Sequence, residues 1–200
     1  MAKVFAFLSL VALFFSSTSL ASSSSESIAK VEQYLNNLTT LEATFLQRSS
    51  TGNQASGRFY LDRSNERFKL DYDDPTPIMI LARRGKLTYF DKELQQPSFI
   101  DLDETPAAVL LQSPLNVLSI DATPGVLETE EILELAFQPE GREEEITLTF
   151  QKKPFQLTRW SVLDVQGVVT DIYLQNIQVG QALPGALFRF RNPEFFTTLE

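Results

Sequence analysis

Apolar and polar residues alternate along much of this chain with a period of two, which is the pattern of β-strands that bury one face. The alternation is clearest between residues 57 and 93. Phe59 and Leu61 share one face of a first run, and Phe68 and Leu70 share one face of the run that follows it. Proline, glycine and aspartate interrupt the pattern at intervals, as they do at turns and at the ends of strands. This stretch therefore predicts an antiparallel meander.

Further strand candidates extend the same pattern over most of the remaining chain. They lie at residues 41–45, 144–151, 155–165 and 168–178, with a final edge strand at 187–190. The whole chain then holds nine to eleven short strands and three or four short helices. The predicted fold class is mainly β (α+β), with one strongly curved antiparallel sheet whose concave face is closed by helices.

The first helix is predicted from a different period. Ile28, Val31, Leu35 and Leu38 recur at intervals of three and four residues, and they form one apolar stripe on a helix over residues 26–38. From the pattern alone, such a stripe most often packs on a sheet.

Two shorter helices are predicted where a hydroxyl residue precedes a proline, which is the usual order of N-cap and first helical position. Thr105-Pro106 opens an apolar helix over residues 107–111. Ser113-Pro114 repeats the signal and opens a second helix near residues 115–118.

Residues 1–21 have the three parts of a secretory signal peptide. Lys3 supplies a positive charge, residues 4–15 are largely apolar, and Ser19 and Ala21 occupy the −3 and −1 positions of a cleavage site. A transmembrane anchor is the alternative, but the apolar run is short for a membrane span. We therefore expect cleavage after Ala21 and an exported single domain over residues 22–200.

Composition excludes several classes of function. The formal net charge of −9 disfavours binding to nucleic acid. The chain has no cysteine and no histidine, so it has no disulfide, no thiolate metal site and no histidine-dependent triad or zinc site. A hydrolase that uses carboxylates stays open, but the candidates fall at alternating positions or bends typical of solvated faces: Asp71, Asp73, Asp74 and Asp91.

A set of short motifs occurs in a fixed order across residues 69–111. It consists of Lys69-Leu70-Asp71-Tyr72-Asp73, Pro75, Pro77, Gly85, Tyr89-Phe90-Asp91-Lys92-Glu93-Leu94, Thr105-Pro106 and Leu110-Leu111. This ordered set resembles the LolA family of periplasmic lipoprotein carriers, and the resemblance extends more weakly over most of the chain after residue 26. Phe45 and Gln47 also match a phenylalanine-x-glutamine pair of that family.

The resemblance implies a fold and a function. The fold would be an incomplete β-barrel closed by a lid of short helices over a hydrophobic cavity. The function would be that of a periplasmic chaperone without enzymatic activity or cofactor, which ferries acylated lipoproteins from the inner to the outer membrane. Its partners would be an inner-membrane ABC transporter that loads it and an outer-membrane acceptor lipoprotein that unloads it. We expect a monomer.

Sixteen Phe, five Tyr and one Trp are spread over nearly every predicted strand. Composition alone is compatible with a filled core or with a cavity for an apolar ligand. The resemblance favours the cavity, and it implies that cavity and lid are formed by Val31, Leu35, Phe45, Phe59, Leu61, Phe68, Leu70, Ile80, Val109, Leu110, Leu118 and Trp160.

Arg63 has the same parity as Phe59 and Leu61, so it points to the inner face if they do. A guanidinium has five donors and can bind several carbonyl groups at the end of a helix. The resemblance implies that Arg63 latches the lid to the sheet when the cavity is empty. The alternative is an arginine at a strand end that reaches solvent. The family's proline-glycine after this arginine is replaced here by Ser64-Asn65-Glu66.

Two other functions stay open. A protein of the same fold could bind lipids or sense lipoproteins without carrying them onward. A carboxylate-dependent hydrolase is disfavoured by the missing histidine and cysteine.

Overall fold

A computed structural model describes residues 20–121, 123–139 and 141–191. This part of the chain forms one sheet of eleven strands, and each pair of neighbouring strands is antiparallel. The strands are β1 Thr40–Ser49, β2 Gln54–Asp62, β3 Arg67–Tyr72, β4 Ile78–Arg83, β5 Lys86–Asp91, β6 Gln96–Asp101, β7 Gly125–Glu128, β8 Ile132–Phe137, β9 Glu145–Lys152, β10 Phe155–Leu163 and β11 Val169–Val179.

The strand order is β6-β5-β4-β3-β2-β1-β11-β10-β9-β8-β7, so two meanders meet where β1 pairs with β11. The mainly β class and the single antiparallel sheet are confirmed. The strong curvature and the incomplete barrel stay predictions, as does the division into a signal peptide and one domain. Residues 1–19, most of the predicted signal peptide, lie outside the described residues.

The helices differ in detail from the sequence prediction. The first, α1, spans Leu20–Asn37 and begins several residues earlier than predicted. Residues Pro106–Leu110 form a 3-10 helix, here called the 106–110 turn, and Thr105 makes no capping bond because its hydroxyl donates to the carbonyl of Leu102.

The second short helix, α2, spans Val117–Ile120. Its N-cap is Asn116 and not Ser113, because the Asn116 side chain accepts a hydrogen bond from the Ser119 amide at 3.2 Å. Two further 3-10 helices are Arg63–Asn65 and Leu102–Glu104.

The helices cover one face of the sheet. We call α1, the 106–110 turn and α2 together the helical cover, and the face beneath it the covered face. Apolar side chains of the cover and of the covered face form one buried cluster that includes Val31, Leu35, Phe59 and Leu110. In the described part of the chain, no helix combines the length and the apolar character needed to cross a bilayer.

The predicted edge strand at residues 187–190 is wrong. This segment begins with a 3-10 helix, Gly185–Phe188, that lies across the opposite face of the sheet, here called the outer face. Phe188 is buried there against Tyr60, Met79 and Leu81. Packing on a second apolar cluster thus replaces the pairing that the alternating sequence suggested.

Candidate functional site

A small apolar cavity lies between the 106–110 turn and strands β9 and β10. Its volume is about 160 Å³, and its lining consists of Thr105, Pro106, Ala107, Val109, Leu110, Ile146, Leu148, Trp160 and Val162. An apolar cavity of about 150 Å³ holds one benzene-sized molecule. In this arrangement the 106–110 turn leaves little space above β9 and β10, and this cavity has room for only one small apolar group.

Aromatic side chains form much of the covered face next to this cavity. Trp160 lies 5.0 Å from the ring of Phe59, measured between ring centroids. On α1, Tyr34 packs edge to face on Phe150 at 5.4 Å and on Phe155 at 5.6 Å. The surface under the cover is thus continuous, apolar and rich in aromatic groups.

Polar side chains of α1 bind the loop that leads into α2. The Asn36 amide donates to the carbonyl of Leu115 at 3.0 Å, and its oxygen accepts the amide hydrogen of the same residue at 2.7 Å. Glu32 accepts the Val117 amide at 2.7 Å. The parts of the cover are therefore fastened to one another by side-chain bonds to main-chain atoms.

Arg63 fastens the cover to the sheet. It is only 5% exposed, and one terminal nitrogen of its guanidinium donates to the carbonyl of Leu110. The other terminal nitrogen donates to the carbonyl of Gln112 at 2.5 Å. Both carbonyls lie at the end of the 106–110 turn, where main-chain oxygens lack partners within the helix.

The main chain around Arg63 explains why its side chain points toward the cover. Strand β2 ends at Asp62, and the 3-10 helix that follows turns the chain toward the cover. The Arg63 amide donates to the carbonyl of Thr39 at 2.9 Å, next to the start of β1, and Glu66 closes the turn with a φ of 49°. Burial lowers the pKa of Arg63. Because a buried charge is costly without partners, the two carbonyls offset part of that cost.

Most of the residues expected to form cavity and lid lie together in the cluster under the cover. They are Val31, Leu35, Phe45, Phe59, Leu61, Phe68, Leu70, Val109, Leu110 and Trp160, with Ile80 partly buried against them. Leu118 lies in the cover on α2, but its side chain is 55% exposed and Val117 takes the buried position of that helix.

One polar pair within the covered region was not predicted. The Tyr72 hydroxyl donates to the Gln47 side-chain oxygen at 2.6 Å, and the Tyr72 ring packs edge to face on Phe45 at 5.0 Å. Burial, with a smaller contribution from Tyr89, raises the pKa of Tyr72 to about 12. The alternating pattern placed Tyr72 on the same face of the strand as Phe68 and Leu70. It did not predict that the Tyr72 hydroxyl bonds to Gln47.

Two of the carboxylates considered for catalysis, Asp71 and Asp91, serve as partners in local structure. Asp71 accepts from Lys69 and lies 2.8 Å from Lys92; burial alone would raise its pKa, but these two ammonium groups hold that pKa below its usual range. Asp91 accepts the amides of Glu93 and Leu94 in a turn. Among the described residues, no group of three or more carboxylate side chains is arranged to hold a metal ion.

Comparison with known proteins adds four findings. The family model described as outer membrane lipoprotein carrier protein LolA matches residues 36–191. An uncharacterized protein of Rickettsia prowazekii is 22% identical over 198 residues, with 99% of this chain and 92% of the relative covered. An outer-membrane lipoprotein carrier protein of Methylococcus capsulatus is 29% identical over 178 residues, with 82% and 83% covered. The crystal structure of an uncharacterized conserved protein from Thermus thermophilus shares the fold, with a TM-score of 0.52, 17% identity, and 84% and 94% coverage.

Proposed function

Because this chain belongs to the LolA family of outer membrane lipoprotein carrier proteins, we propose that it is a periplasmic carrier that binds the acyl chains of lipoproteins beneath its helical cover. It would take them from a transporter in the inner membrane and deliver them to an acceptor lipoprotein in the outer membrane. The observation that carries the proposal is the buried guanidinium of Arg63, which fastens the cover over an apolar, aromatic surface.

The physical need for such a carrier follows from the hydrophobic effect. Exposing an acyl chain to water costs about 0.8 kcal/mol per methylene, hence about 12 kcal/mol for a chain of roughly fifteen methylenes. A surface of aromatic and aliphatic side chains replaces the membrane with surroundings of similar polarity. Loading and release can then both proceed with small changes in free energy.

Loading requires the cover to move. The cavity of about 160 Å³ has room for one small apolar group, and a lipoprotein carries whole acyl chains. We propose that the cover is a lid, which fills the cavity when no cargo is present and swings outward when acyl chains enter. Arg63 would act as the latch, since its bonds to Leu110 and Gln112 join the sheet to the cover in the closed arrangement and would have to break for the cover to swing outward.

The negative net charge of the chain suits a protein that moves between two membranes. With a formal charge of −9, the chain would be repelled by anionic lipid headgroups, which would disfavour its adsorption to them. Contact with either membrane would then depend on the transporter or the acceptor.

The test is mass spectrometry under native conditions on the protein purified from a periplasmic fraction. We expect co-purified acylated peptides, which Val109→Asn should abolish because Val109 lines the cavity. Leu118→Asn is the matched control on the exposed side of α2 and should keep them. Free lipids alone would overturn the carrier proposal in favour of a lipid-binding protein of the same fold. An empty protein that also accepts no acylated peptide would overturn both.

A further inference from the structure

The outer face of the sheet carries a segment that we call the outer strap, residues 183–190. Phe188 anchors it, with 1% of its surface exposed, in an apolar cluster with Tyr60 and Met79. Arg83 fastens its main chain by donating to the carbonyl of Phe188 at 3.0 Å. The strap is therefore docked by one buried ring and one charge-assisted hydrogen bond.

Arg67 connects the strap to the end of strand β2. Its guanidinium carbon lies 4.3 Å from the centre of the Phe188 ring, which is cation–π geometry. The same guanidinium donates twice to one carboxylate oxygen of Asp62, from Nε at 3.0 Å and from Nη2 at 2.7 Å. Phe188 thus supports the arginine that holds Asp62.

Asp62 in turn shapes the turn that contains Arg63. It is 3% exposed, and its second carboxylate oxygen accepts hydrogen bonds from the Asn65 amide at 3.2 Å and from the Asn65 side chain at 3.1 Å. These bonds close the 3-10 helix Arg63–Asn65. A continuous series of contacts therefore runs from Phe188 through Arg67 and Asp62 to Arg63, and from there to the cover.

We propose that Arg67 and Phe188 are positioning residues for the Arg63 latch, acting from the outer face of the sheet. They hold the Asp62 carboxylate, the carboxylate fixes the turn, and the turn aims the Arg63 guanidinium at the cover. A docked strap favours a closed cover, and an undocked strap weakens the latch. The proposal rests on the proposed function only in taking Arg63 to hold the cover closed.

Replacing Arg67 would remove two hydrogen bonds from the buried Asp62 carboxylate. Among the described residues, an Asp62 carboxylate that loses both bonds from Arg67 keeps only its bonds to Asn65. Such a loss is costly for a buried charge unless the group moves toward water. Movement of Asp62 toward solvent would pull on the adjacent Arg63. Linkage is reciprocal, so opening of the cover should also loosen the strap.

The experiment measures opening of the cover in the empty, full-length protein by hydrogen exchange of peptides that span residues 105–112. Arg67→Met keeps the packing of the side-chain stem and removes the charge, and Phe188→Leu keeps an apolar group and removes the ring. We expect Phe188→Leu, which loses the cation–π contact, to accelerate exchange about tenfold. Arg67→Met also loses the two bonds to Asp62 and should accelerate exchange at least as much. Phe190→Leu is the matched control, because Phe190 packs against the same outer cluster and on Phe90 and Phe99, whereas the ring that Arg67 contacts is that of Phe188.

Action through the latch is tested by repeating these variants in an Arg63→Leu background. We expect the acceleration to fall below about twofold there, because the contact through which Arg67 and Phe188 act is already absent. An equal acceleration in both backgrounds, or none in either, would overturn the proposal in favour of a purely structural strap. Arg67→Lys keeps the charge, so it should accelerate exchange less than Arg67→Met does. It also replaces Arg67→Met in the experiment if that variant fails to fold. Failure to bind acylated peptides would overturn the carrier proposal alone, since the exchange measurement uses no cargo.

Discussion

Arg63 and Gln112 are joined by a hydrogen bond of 2.5 Å across 49 positions of the sequence, from a guanidinium nitrogen at the end of β2 to a main-chain carbonyl beyond the 106–110 turn. A second bond, to Leu110, makes the attachment two-pronged. In the described part of the chain Arg63 has no carboxylate within ion-pair distance. Because its partners are neutral carbonyls, breaking this attachment strands no buried carboxylate, which suits the opening of the cover that we propose for loading.

The first prediction concerns removal of this attachment. Arg63→Leu should make the cover open more readily, because both bonds to the 106–110 turn are lost. Cargo would then compete with a weaker closed state, so we expect acylated peptides to bind about tenfold more tightly and to be released more slowly to an acceptor. The measurement is the dissociation rate of a fluorescent acylated peptide.

Arg48→Leu is the control for the first prediction. Arg48 is an exposed arginine on β1 that faces Tyr173, away from the cover. It should leave the dissociation rate within about twofold of the unchanged protein. Equal rates for Arg63→Leu and the unchanged protein would contradict the latch.

The second prediction concerns Gly57, which lies opposite Phe45 on one side and Tyr72 on the other. A Cβ at this position would lie 2.2 Å from the carbonyl oxygen of Asp71 and 2.8 Å from the Phe45 ring. Main-chain atoms within a sheet cannot move aside easily, so Gly57→Ala should lower the free energy of unfolding by about 1–3 kcal/mol. Urea denaturation measures this change.

Gly125→Ala is the matched control for Gly57. Gly125 also lies in a strand, but the nearest atom to its added Cβ is 3.6 Å away, which is ordinary van der Waals contact. It should leave the free energy of unfolding within about 0.5 kcal/mol of the unchanged protein. Equal destabilisation by both variants would mean that the close approach of the Asp71 carbonyl and the Phe45 ring to Gly57 has no special role.

The third prediction concerns the bonds between α1 and the loop before α2. Asn36→Ala removes both hydrogen bonds to the main chain of Leu115, a buried residue whose amide and carbonyl then lose this partner. We expect a loss of about 1–2 kcal/mol in the free energy of unfolding and faster hydrogen exchange over residues 113–120. Asn37→Ala, at the exposed neighbouring position, should change neither. Slow exchange in the Asn36 variant would show that the apolar contacts suffice to hold the loop.

Most strands that bury one face were predictable, although β8 was missed despite burying every second residue, and the edge strands β6 and β7 were not. In β3 every second residue is buried, because the covered face is apolar and the period of a strand is two. Edge strands β6 and β7 are exposed along most of their length, so burial imposes no pattern on their sequences. Residues 187–190 alternate like a strand, yet Phe188 is held by apolar partners on the outer face.

The candidate site, too, was only partly predictable from the sequence. Parity with Phe59 and Leu61 predicted that Arg63 could face inward, and its side chain does contact the cover. The residue follows the end of β2 in a 3-10 helix, however, so the turn and the bonds to Leu110 and Gln112 set its direction. Its support from Asp62 and Arg67 depends on how the outer face is packed, and the bonds of Asn36 join residues 79 positions apart. Contacts between a side chain and a distant main-chain atom leave no periodic trace in a sequence. They become visible only once the topology is known.

The last prediction concerns alkaline pH and the buried Tyr72. Its pKa is raised from 10.0 in the unfolded chain to about 12 in the folded protein, mainly by burial. The folded state therefore holds this proton more tightly, and the resulting stability is fully present below pH 10 and is lost as the pH rises toward 12. The shift corresponds to about 2–3 kcal/mol.

Tyr72→Phe removes the titrating group, so the free energy of unfolding of this variant should fall less than that of the unchanged protein between pH 10 and 12. The difference between the two proteins cancels the titration of all other groups and should change by about 2–3 kcal/mol in favour of the variant. A difference that stays constant with pH would mean that Tyr72 ionises in the folded protein as it does in the unfolded chain.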